Sequence, residues 1–466
     1  MYRYQTETVE DLDDFLKTDE RLYRLFWDCG MGKSYVLARW VKLHPELKFL
    51  YVTVNHKVCD NFEKELLDAG LSEDDMFHYW GKKDLCSRVP EQMYYPGCVC
   101  ENREIMLDHY TYSSRDHTSY CSMKCLYKQQ STTKQVLLTV FELMGRFSEG
   151  RIVIIDESPE KLAVKPAYVF ENDIKLGNTV TYKNRFGDES VYYTDVRLAS
   201  TFWVSNDRTW KIAQFFKSCK HNAVVAYQHK KGYQLQGRNY DIVPDGKVIF
   251  ACATTSIPYM EAVLGIPADR VNEQRKTILN PVIEVNHEWT KSFSEDNFEW
   301  LYETFLPSLS DNPDDIFIST KKMFAEKLTE LGYHAPYHGN GRGINEYNRE
   351  YKYIIAYCRF GAPIELNVAW ELLGFNKAII KQREVSESLQ TFHRCRAHLH
   401  TRATPVILMT NKDIGINANI EISFKALQKL IGIDEIPKSL NKIAAKLHIS
   451  KRGAKPVREV YKVLYQ

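Results

Sequence analysis

Residues Cys29 to Ser34 read CGMGKS, a glycine-rich run that ends in Lys-Ser. In a phosphate-binding loop, glycines let backbone N–H groups close around the phosphates, the lysine reaches the β/γ-phosphates and the serine hydroxyl holds Mg²⁺. We assign the last two roles to Lys33 and Ser34, although Trp27 stands where the full pattern has its first glycine. An ordinary loop from strand to helix is the alternative. The predicted nucleotide-binding residues of the loop are Cys29, Gly30, Met31, Gly32, Lys33 and Ser34.

Two acids, Asp156 and Glu157, end the apolar run RIVII. In a nucleotide site the aspartate orients Mg²⁺ and the glutamate activates the attacking water. Asp156 and Ser34 are therefore the predicted Mg²⁺ ligands, and Glu157 is a predicted catalytic residue. The alternative is that two acids merely end a strand and cap the following helix.

Five of the eleven cysteines crowd into one segment, which in a reducing compartment favours metal binding over disulfides. They are Cys86, Cys98, Cys100, Cys121 and Cys125. A 4Fe–4S cluster needs four thiolates, and so does a Cys₄ zinc site, for which C-x₂₋₄-C pairs are usual. The C-x-C pair is too tight for the common zinc knuckle, and an iron–sulfur cluster held by four of the five is one candidate. Zn²⁺, with His109 or His117 as fourth ligand, and reduced free thiols are the alternatives.

Two arginines and a glutamine occur late in the chain, within QTFHRCR (390–396). Such arginines can stabilise charge on a transferring phosphoryl group. Gln390, Arg394 and Arg396 are therefore candidate catalytic residues, whereas a solvated basic helix face is the alternative.

The elements that position these residues are apolar strands of the kind buried in parallel sheets. LYRLFW (22–27) precedes the glycine-rich loop, and KFLYVTV, RIVIIDE and KVIFACATT follow it in sequence order. A second series contains IFIST, YIIAY and PVILMT. Polar residues at the carboxyl ends of such strands lie where open α/β sheets bind ligands. The sequence thus predicts two α/β units in tandem, with a β-rich or mixed segment between Lys161 and Gly246.

The composition excludes several classes of protein. The 62 Lys and Arg nearly balance the 60 Asp and Glu, so a net charge of +2 does not point to an acidic partner. No apolar run approaches the ~20 residues of a membrane span, and eleven cysteines are few for a secreted disulfide scaffold. We expect a cytoplasmic protein, or a viral or plasmid protein in a host cytoplasm.

The C-terminal segment is locally basic. From Pro437 to Gln466 there are eight Lys and Arg and one acid, and two helical stretches flank a turn placed near Gly453. One interpretation is a helix-turn-helix whose second helix lies on DNA. The other is a helical pair that docks on the second α/β unit and leaves a solvated basic face.

The ordered motifs resemble those of the superfamily 2 helicases. Tyr4-Gln5 resembles the adenine-contacting element, CGMGKS the first motif, YVTVNHK the strand and loop that follow, and IIDES the second motif. ACATTS resembles the motif that couples ATP state to DNA, IFIST the opening of the second motor domain, and QTFHRCR the arginine motif. The resemblance implies that Gln5 contacts the nucleotide and that Arg394 ranks first as the arginine finger.

Within that superfamily the chain looks most like the XPD/DinG group. GKKDLC and KCLY resemble segments that bear the first and last cluster cysteines there, and ACATTSIPYMEAVLG is similar to that group's S-A-T-L-S stretch. The five cysteines lie between the second strand and the Asp-Glu motif, where that group carries its cluster domain, so the resemblance makes an iron–sulfur cluster the preferred metal group. His393 replaces a usual glycine, the second arginine comes one place early, and HGNGRGINEYN matches the fifth motif only loosely.

The resemblance implies two tandem RecA-like domains, that is, parallel sheets flanked by helices, with inserted domains and a small helical C-terminal module. The expected parts are motor domain 1 (1–80, 128–160 and 246–280), a metal-cluster insertion (81–127), an arch-like insertion (161–245), motor domain 2 (281–420) and a basic C-terminal module (421–466).

The activity implied is an ATP-dependent helicase that moves 5′ to 3′ on single-stranded or forked DNA and parts the duplex, using ATP, Mg²⁺ and the cluster. RNA is an alternative substrate. A monomeric motor with replication or repair partners is expected. The alternative predictions are a translocase that does not separate strands and a nucleic-acid-binding initiator whose motor is inactive.

Overall fold

The structure of the chain is a computed structural model that describes most residues outside the cysteine-rich segment. The described residues are 3–28, 30–80, 130, 132–156, 160–184, 187–204, 207–219, 221–239, 244, 246–274, 280–337, 347, 349–358, 362–392, 395, 404–410, 416–431, 433, 436–437 and 439–465. All five predicted cluster cysteines lie outside them.

The described chain alternates strands and helices over most of its length. The strands are β1 (Leu22–Trp27), β2 (Phe49–Thr53), β3 (Met76–His78), β4 (Val136–Val140), β5 (Ile152–Asp156), β6 (Val164–Val169), β7 (Ile174–Lys175), β8 (Asn178–Lys183), β9 (Glu189–Thr194), β10 (Arg197–Leu198), β11 (Val224–His229), β12 (Gly232–Arg238), β13 (Val248–Ala251), β14 (Arg270–Gln274), β15 (Val282–Asn286), β16 (Ile316–Ser319), β17 (Tyr353–Tyr357), β18 (Val406–Met409) and β19 (Ile420–Ser423).

The helices are α1 (Arg3–Lys17), α2 (Lys33–Leu43), α3 (His56–Asp68), α4 (Met144–Phe147), α5 (Glu160–Ala163), α6 (Asp207–Ser218), α7 (Ile257–Leu264), α8 (Lys291–Asp296), α9 (Phe298–Trp300), α10 (Leu306–Leu309), α11 (Lys322–Glu330), α12 (Ile364–Leu372), α13 (Lys377–Phe392), α14 (Phe424–Leu430), α15 (Leu440–Leu447) and α16 (Lys451–Tyr465).

The chain forms two compact units. The first contains residues 1–27, 32–273 and 363–380, and the second contains residues 28–31, 274–362 and 381–466. Residues 363–380 fall within the predicted second motor domain but group with the first unit. Their helix α12 packs on β9, β11 and β12, and its side chains Val368, Ala369 and Trp370 are buried there. This is long-range packing that the local sequence does not encode.

The first unit is built on a seven-stranded sheet of order β14-β1-β13-β5-β2-β4-β3. In this spatial order, every neighbouring pair of strands from β1 through β13, β5, β2 and β4 to β3 is parallel. Every residue of β1, β2 and β13 is buried. Burial on both faces explains why these strands read as nearly continuous apolar runs. Their carboxyl ends, where the predicted catalytic residues begin, form one edge of the sheet.

The β-rich segment predicted between Lys161 and Gly246 forms a separate five-stranded sheet of order β6-β12-β11-β9-β8, paired antiparallel throughout. Strand β8 alternates exposed and partly buried side chains over most of its length, the pattern of a sheet that faces water on one side. Helix α6 packs on β6, which is at the opposite edge of this sheet from β8.

The second unit is built on a five-stranded parallel sheet of order β16-β17-β18-β15-β19. Helices α15 and α16 add their apolar side chains to its core, among them Ile443, Leu447, Val457 and Leu464. The turn between them spans residues 448–450, not Gly453, because the Ser450 hydroxyl accepts a hydrogen bond from the Gly453 N–H inside the first turn of α16. A serine cap outweighs the glycine signal here.

The predicted fold class is confirmed: the chain is an α/β protein with two tandem RecA-like parallel sheets flanked by helices, a mixed antiparallel insertion and C-terminal helices. The predicted cysteine-rich insertion lies outside the described residues. Over the described part of the chain, every helix is too short or too polar to cross a membrane.

Candidate nucleotide-binding site

The glycine-rich loop joins the end of β1 to the start of α2. Gly30 and Gly32 have φ angles of 76° and 86°, in the left-handed region where a side chain costs roughly 1–2 kcal/mol. Gly32 is the N-cap of α2, which has no side-chain cap, so the first N–H groups of the helix point toward the loop. This arrangement, together with the helix dipole, favours an anion such as phosphate.

Lys33 is the first residue of α2, and its Nζ donates a 2.9 Å hydrogen bond to the Trp27 carbonyl oxygen. The ammonium group is therefore held across the loop, between the last residue of β1 and the helix. The indole of Trp27 is fully buried and donates to Asn272 Oδ1 of β14 at 2.8 Å. Trp27 thus presents only its carbonyl to Lys33, which explains how the loop forms without the first glycine of the pattern.

Gln5 lies in α1 and is buried, with 5% of its surface exposed. Its Nε2 atom would be 2.9 Å from a Cβ placed on Gly32. The predicted adenine-contacting residue and the phosphate loop are therefore in contact. A side chain at position 32 would collide with Gln5 as well as strain the backbone.

Asp156 is the last residue of β5, at the same edge of the sheet as the loop. Leu25 of β1 is level with Ala251 of β13, and Ala251 is level with Asp156. Adjacent strands lie about 4.8 Å apart, so Asp156 is two strands, or about 10 Å, from the strand that leads into the loop. Asp156 Oδ2 accepts a 2.6 Å hydrogen bond from the Tyr51 hydroxyl.

Tyr51 is a site residue that the sequence analysis missed. It lies in β2, is buried, and stacks on Phe62 of α3 with ring centroids 3.9 Å apart. A buried tyrosine hydroxyl needs a hydrogen-bond partner, so a tyrosine inside the apolar run KFLYVTV could have indicated a polar contact in the core.

Arg24 was missed as well, although a charged residue inside the apolar run LYRLFW is unusual. It is fully buried, lies over the Phe26 ring and donates to the Thr255 carbonyl oxygen at 2.7 Å. Thr255 belongs to the ACATTS segment, and its hydroxyl is 3.0 Å from Cys252 Sγ. Arg24 therefore fixes the loop after β13 relative to β1.

The structure thus places Gln5, Gly32, Lys33 and Asp156 in the first unit, with Gly32, Lys33 and Asp156 at the carboxyl edge of its sheet. Met31 is buried in the same loop, and Ser34 is half-buried in the first turn of α2. Cys29, Glu157, Arg394 and Arg396 lie outside the described residues, and of Gln390 only the backbone, in α13, is described.

The donor set fits a magnesium nucleotide. Positive-φ glycines, the N-terminus of the eleven-residue helix α2 and a lysine match phosphate. The Asp156 carboxylate and the Ser34 hydroxyl are oxygen ligands of the kind that Mg²⁺ takes.

The fold is similar to that of solved structures whose titles name XPD. A solved structure titled "XPD_Helicase" matches with a TM-score of 0.58 and 13% identity, and one titled "XPD_APO" matches with a TM-score of 0.52 and 11% identity. Xpd4 of S. tokodaii matches with a TM-score of 0.51 and 9% identity. Each match covers 91% of this chain and 100% of the other.

At these identities the likeness is one of fold. No protein-family model matches the sequence, and no curated protein matches it.

Proposed function

We propose that this protein is an ATP-driven helicase that translocates on single-stranded nucleic acid and separates duplex DNA, moving 5′ to 3′. The observation that carries the proposal is that Gly32 and Lys33, at the start of α2, and Asp156, at the end of β5, lie at the carboxyl edge of the same RecA-like sheet. In this proposal Lys33 binds the β/γ-phosphates, Ser34 and Asp156 hold Mg²⁺, and Glu157 activates water. Gln390, Arg394 and Arg396 keep the roles that the resemblance implies.

The direct test is ATP hydrolysis with and without single-stranded DNA, in wild type and Lys33→Ala. We expect stimulation by the strand in wild type and loss of it in the variant, because the ammonium that neutralises phosphate charge is gone. Lys17→Ala is a matched control, since Lys17 is an exposed surface lysine paired with Asp14 three residues away. Hydrolysis that the strand does not stimulate, or that survives Lys33→Ala, would contradict the motor proposal.

The second candidate is a translocase that does not separate strands, and the third is a binding protein with an inactive motor. The loose fifth motif and Trp27 favoured the inactive motor at the sequence level. The burial of the Trp27 indole against Asn272 removes part of that argument, because the indole does not occupy the loop. Unwinding of 5′-tailed and 3′-tailed duplexes with ATP separates the three candidates and gives the polarity.

The nucleic acid and the cluster need their own measurements. Stimulation by oligodeoxynucleotides and by oligoribonucleotides of the same sequence distinguishes DNA from RNA. Anaerobic purification tests the 4Fe–4S proposal: a brown protein with broad visible absorption supports it, and a colourless protein that contains zinc contradicts it.

A further inference from the structure

Beside the nucleotide site, the first unit holds a second group of metal-ligating side chains. His56 is the first residue of α3, and His78 is the last residue of the edge strand β3. Their ring atoms His56 Nδ1 and His78 Nε2 are 2.8 Å apart. The Cys59 thiol, one turn along α3, lies within 4.8 Å of both imidazole rings' ligand atoms. Two imidazoles and a thiol therefore converge on one point.

The surroundings hold both imidazoles in a fixed orientation. His78 Nδ1 lies 3.3 Å from Asp60 Oδ1 and 3.7 Å from Glu63 Oε2. The two carboxylates favour a proton on Nδ1, which leaves the lone pair of Nε2 facing His56. The Trp80 indole stacks on both rings, with centroids 4.2 Å from His56 and 4.6 Å from His78. Gln130 holds the Trp80 backbone by accepting from its N–H at 2.7 Å and donating to its carbonyl at 3.0 Å.

We propose that His56, Cys59 and His78 form a zinc-binding site in which Asp60 orients His78. A carboxylate that accepts the second N–H of a liganding histidine is the usual outer partner of zinc sites. Two imidazoles and one thiolate, with water in a fourth position, are ligands that Zn²⁺ prefers. Tetrahedral Zn²⁺ separates such ligand atoms by about 3.3–3.6 Å, so the two nitrogens need to move apart by about half an ångström and the Cys59 sulfur, within 4.8 Å, needs to approach by up to about 1.2 Å.

Metal binding requires the protons of two of these side chains to move. With the His78 Nε2 lone pair facing His56, the proton between the rings is on His56 Nδ1, and the Cys59 thiol donates to the Thr139 carbonyl oxygen at 3.4 Å. When Zn²⁺ binds, the His56 proton moves from Nδ1 to Nε2 through solvent. The Cys59 thiol proton is released, so one proton leaves per metal ion.

This inference does not depend on the motor proposal. The bound ion would fix the end of β3 against α3 at Trp80, the last described residue before the cysteine-rich segment. The ordinary alternative is that the two imidazoles share a proton and bind nothing.

The test uses the full chain with the five segment cysteines replaced by serine, so that they cannot bind the metal. The background substitutions are Cys86→Ser, Cys98→Ser, Cys100→Ser, Cys121→Ser and Cys125→Ser. After treatment with a chelator we expect one equivalent of Co²⁺ to bind with a thiolate charge-transfer band in the near ultraviolet. Zn²⁺ should displace the Co²⁺, and direct titration with Zn²⁺ should release one proton per ion.

Three substitutions should each abolish saturable binding at micromolar metal: His56→Gln, His78→Gln and Cys59→Ser. Asp60→Asn should weaken the affinity by about 10–100-fold, as expected for loss of an outer partner. His334→Gln is the matched control, because His334 also pairs with an aspartate, Asp314, at 2.9 Å but has no cysteine or second histidine grouped with it among the described residues. His334→Gln should bind Co²⁺ as tightly as the parent, that is, the cysteine-substituted chain without further changes.

The absence of bound Co²⁺ in the folded parent, or equal binding by all variants, would overturn the proposal. If the cysteine-substituted chain does not fold, the wild-type chain serves instead, with bound metal counted per molecule. His78→Gln must then hold one equivalent less than both wild type and His334→Gln, and equal counts would reject the site.

Discussion

The Tyr51 hydroxyl donates a 2.6 Å hydrogen bond to Asp156 Oδ2 and so connects β2 to the end of β5. The ring of Tyr51 is held independently, because it stacks on Phe62 at an interplanar angle of 8°. One carboxylate oxygen of Asp156 is therefore oriented by a rigid donor. The other oxygen keeps a fixed direction at the carboxyl edge of the sheet.

Tyr51→Phe should lower the turnover of strand-stimulated ATP hydrolysis by about 10–100-fold, the usual effect of removing an outer partner of a metal ligand. The Mg²⁺ concentration for half-maximal rate should rise at the same time, because Asp156 is no longer oriented. The ring and its stacking on Phe62 remain, so thermal stability should change little. Steady-state kinetics over a range of Mg²⁺ concentrations measures both effects.

Tyr353→Phe is the control for this experiment, since the Tyr353 hydroxyl also makes a 2.7 Å hydrogen bond, to the Leu464 carbonyl oxygen in the second unit. It should leave the Mg²⁺ requirement unchanged. An unchanged requirement in Tyr51→Phe as well would mean that Asp156 does not depend on Tyr51.

Gly32→Ala should weaken ATP binding by at least about 10-fold, because the new methyl group meets both a φ of +86° and Gln5 Nε2 at 2.9 Å. Gly70→Ala is the control for backbone strain outside the loop. Gly70 has a φ of +88° but no atom within 4 Å of the place that an alanine methyl group would take, so its substitution carries only the backbone strain of roughly 1–2 kcal/mol. Titration with a fluorescent ATP analogue compares the two variants, and equal affinities would show that the strain and the Gln5 contact at position 32 do not affect ATP binding.

The sequence predicted the parallel strands and the polar residues at their ends, because both signals are local. Buried strands such as β1 and β5 read as apolar runs, and the loop's glycines mark a backbone that other residues avoid. Contacts between distant segments left no such pattern. Tyr51 and Asp156, or His56 and His78, are brought together only when β2, β5 and β3 take their places in the sheet.

The sequence also did not predict where residues 363–380 pack or which arginines are buried, and both have physical causes. Residues 363–380 join the first unit because Trp370 and its neighbours match an apolar sheet surface formed by remote strands. Buried arginines such as Arg24 and Arg151 donate to backbone carbonyls, which every residue carries, so no complementary side chain signals them in the sequence.

Arg151→Met should destabilise the first unit by about 2–4 kcal/mol, since it removes four buried or partly buried hydrogen bonds from a charged donor. The Arg151 guanidinium donates to the carbonyl oxygens of Phe49, Gln135, Thr132 and Lys134 at 2.8–3.1 Å. Burial also lowers the pKa of this arginine. Urea unfolding followed by circular dichroism measures the shift, with each transition treated separately because the chain has two units.

Arg197→Met is the control for that shift. Arg197 is exposed and pairs with Asp195 at 3.1 Å, a surface ion pair worth at most about 1 kcal/mol. A similar effect of the two substitutions would mean that the four carbonyl contacts of Arg151 contribute no more than a surface pair.

Tyr192→Phe should leave the stability at pH 7 unchanged or raise it by about 1 kcal/mol, because the buried Tyr192 hydroxyl has no hydrogen-bond partner among the described residues. Burial, with Glu365 nearby, raises the pKa of Tyr192 to about 12. The neutral phenol is thus favoured in the fold. The stabilisation of the fold that comes from this raised pKa is fully present below the ordinary tyrosine pKa of about 10, and it is lost as the pH rises through 12.

Between pH 10 and pH 12 the unfolding free energy of wild type should therefore fall by about 1–2 kcal/mol more than that of Tyr192→Phe. Urea unfolding at several pH values measures the difference. Tyr357→Phe is the control at pH 7, because the buried Tyr357 hydroxyl donates to the Ser294 carbonyl oxygen at 2.6 Å and its loss should cost about 1 kcal/mol. Parallel pH profiles for wild type and Tyr192→Phe would show that the hydroxyl reaches solvent.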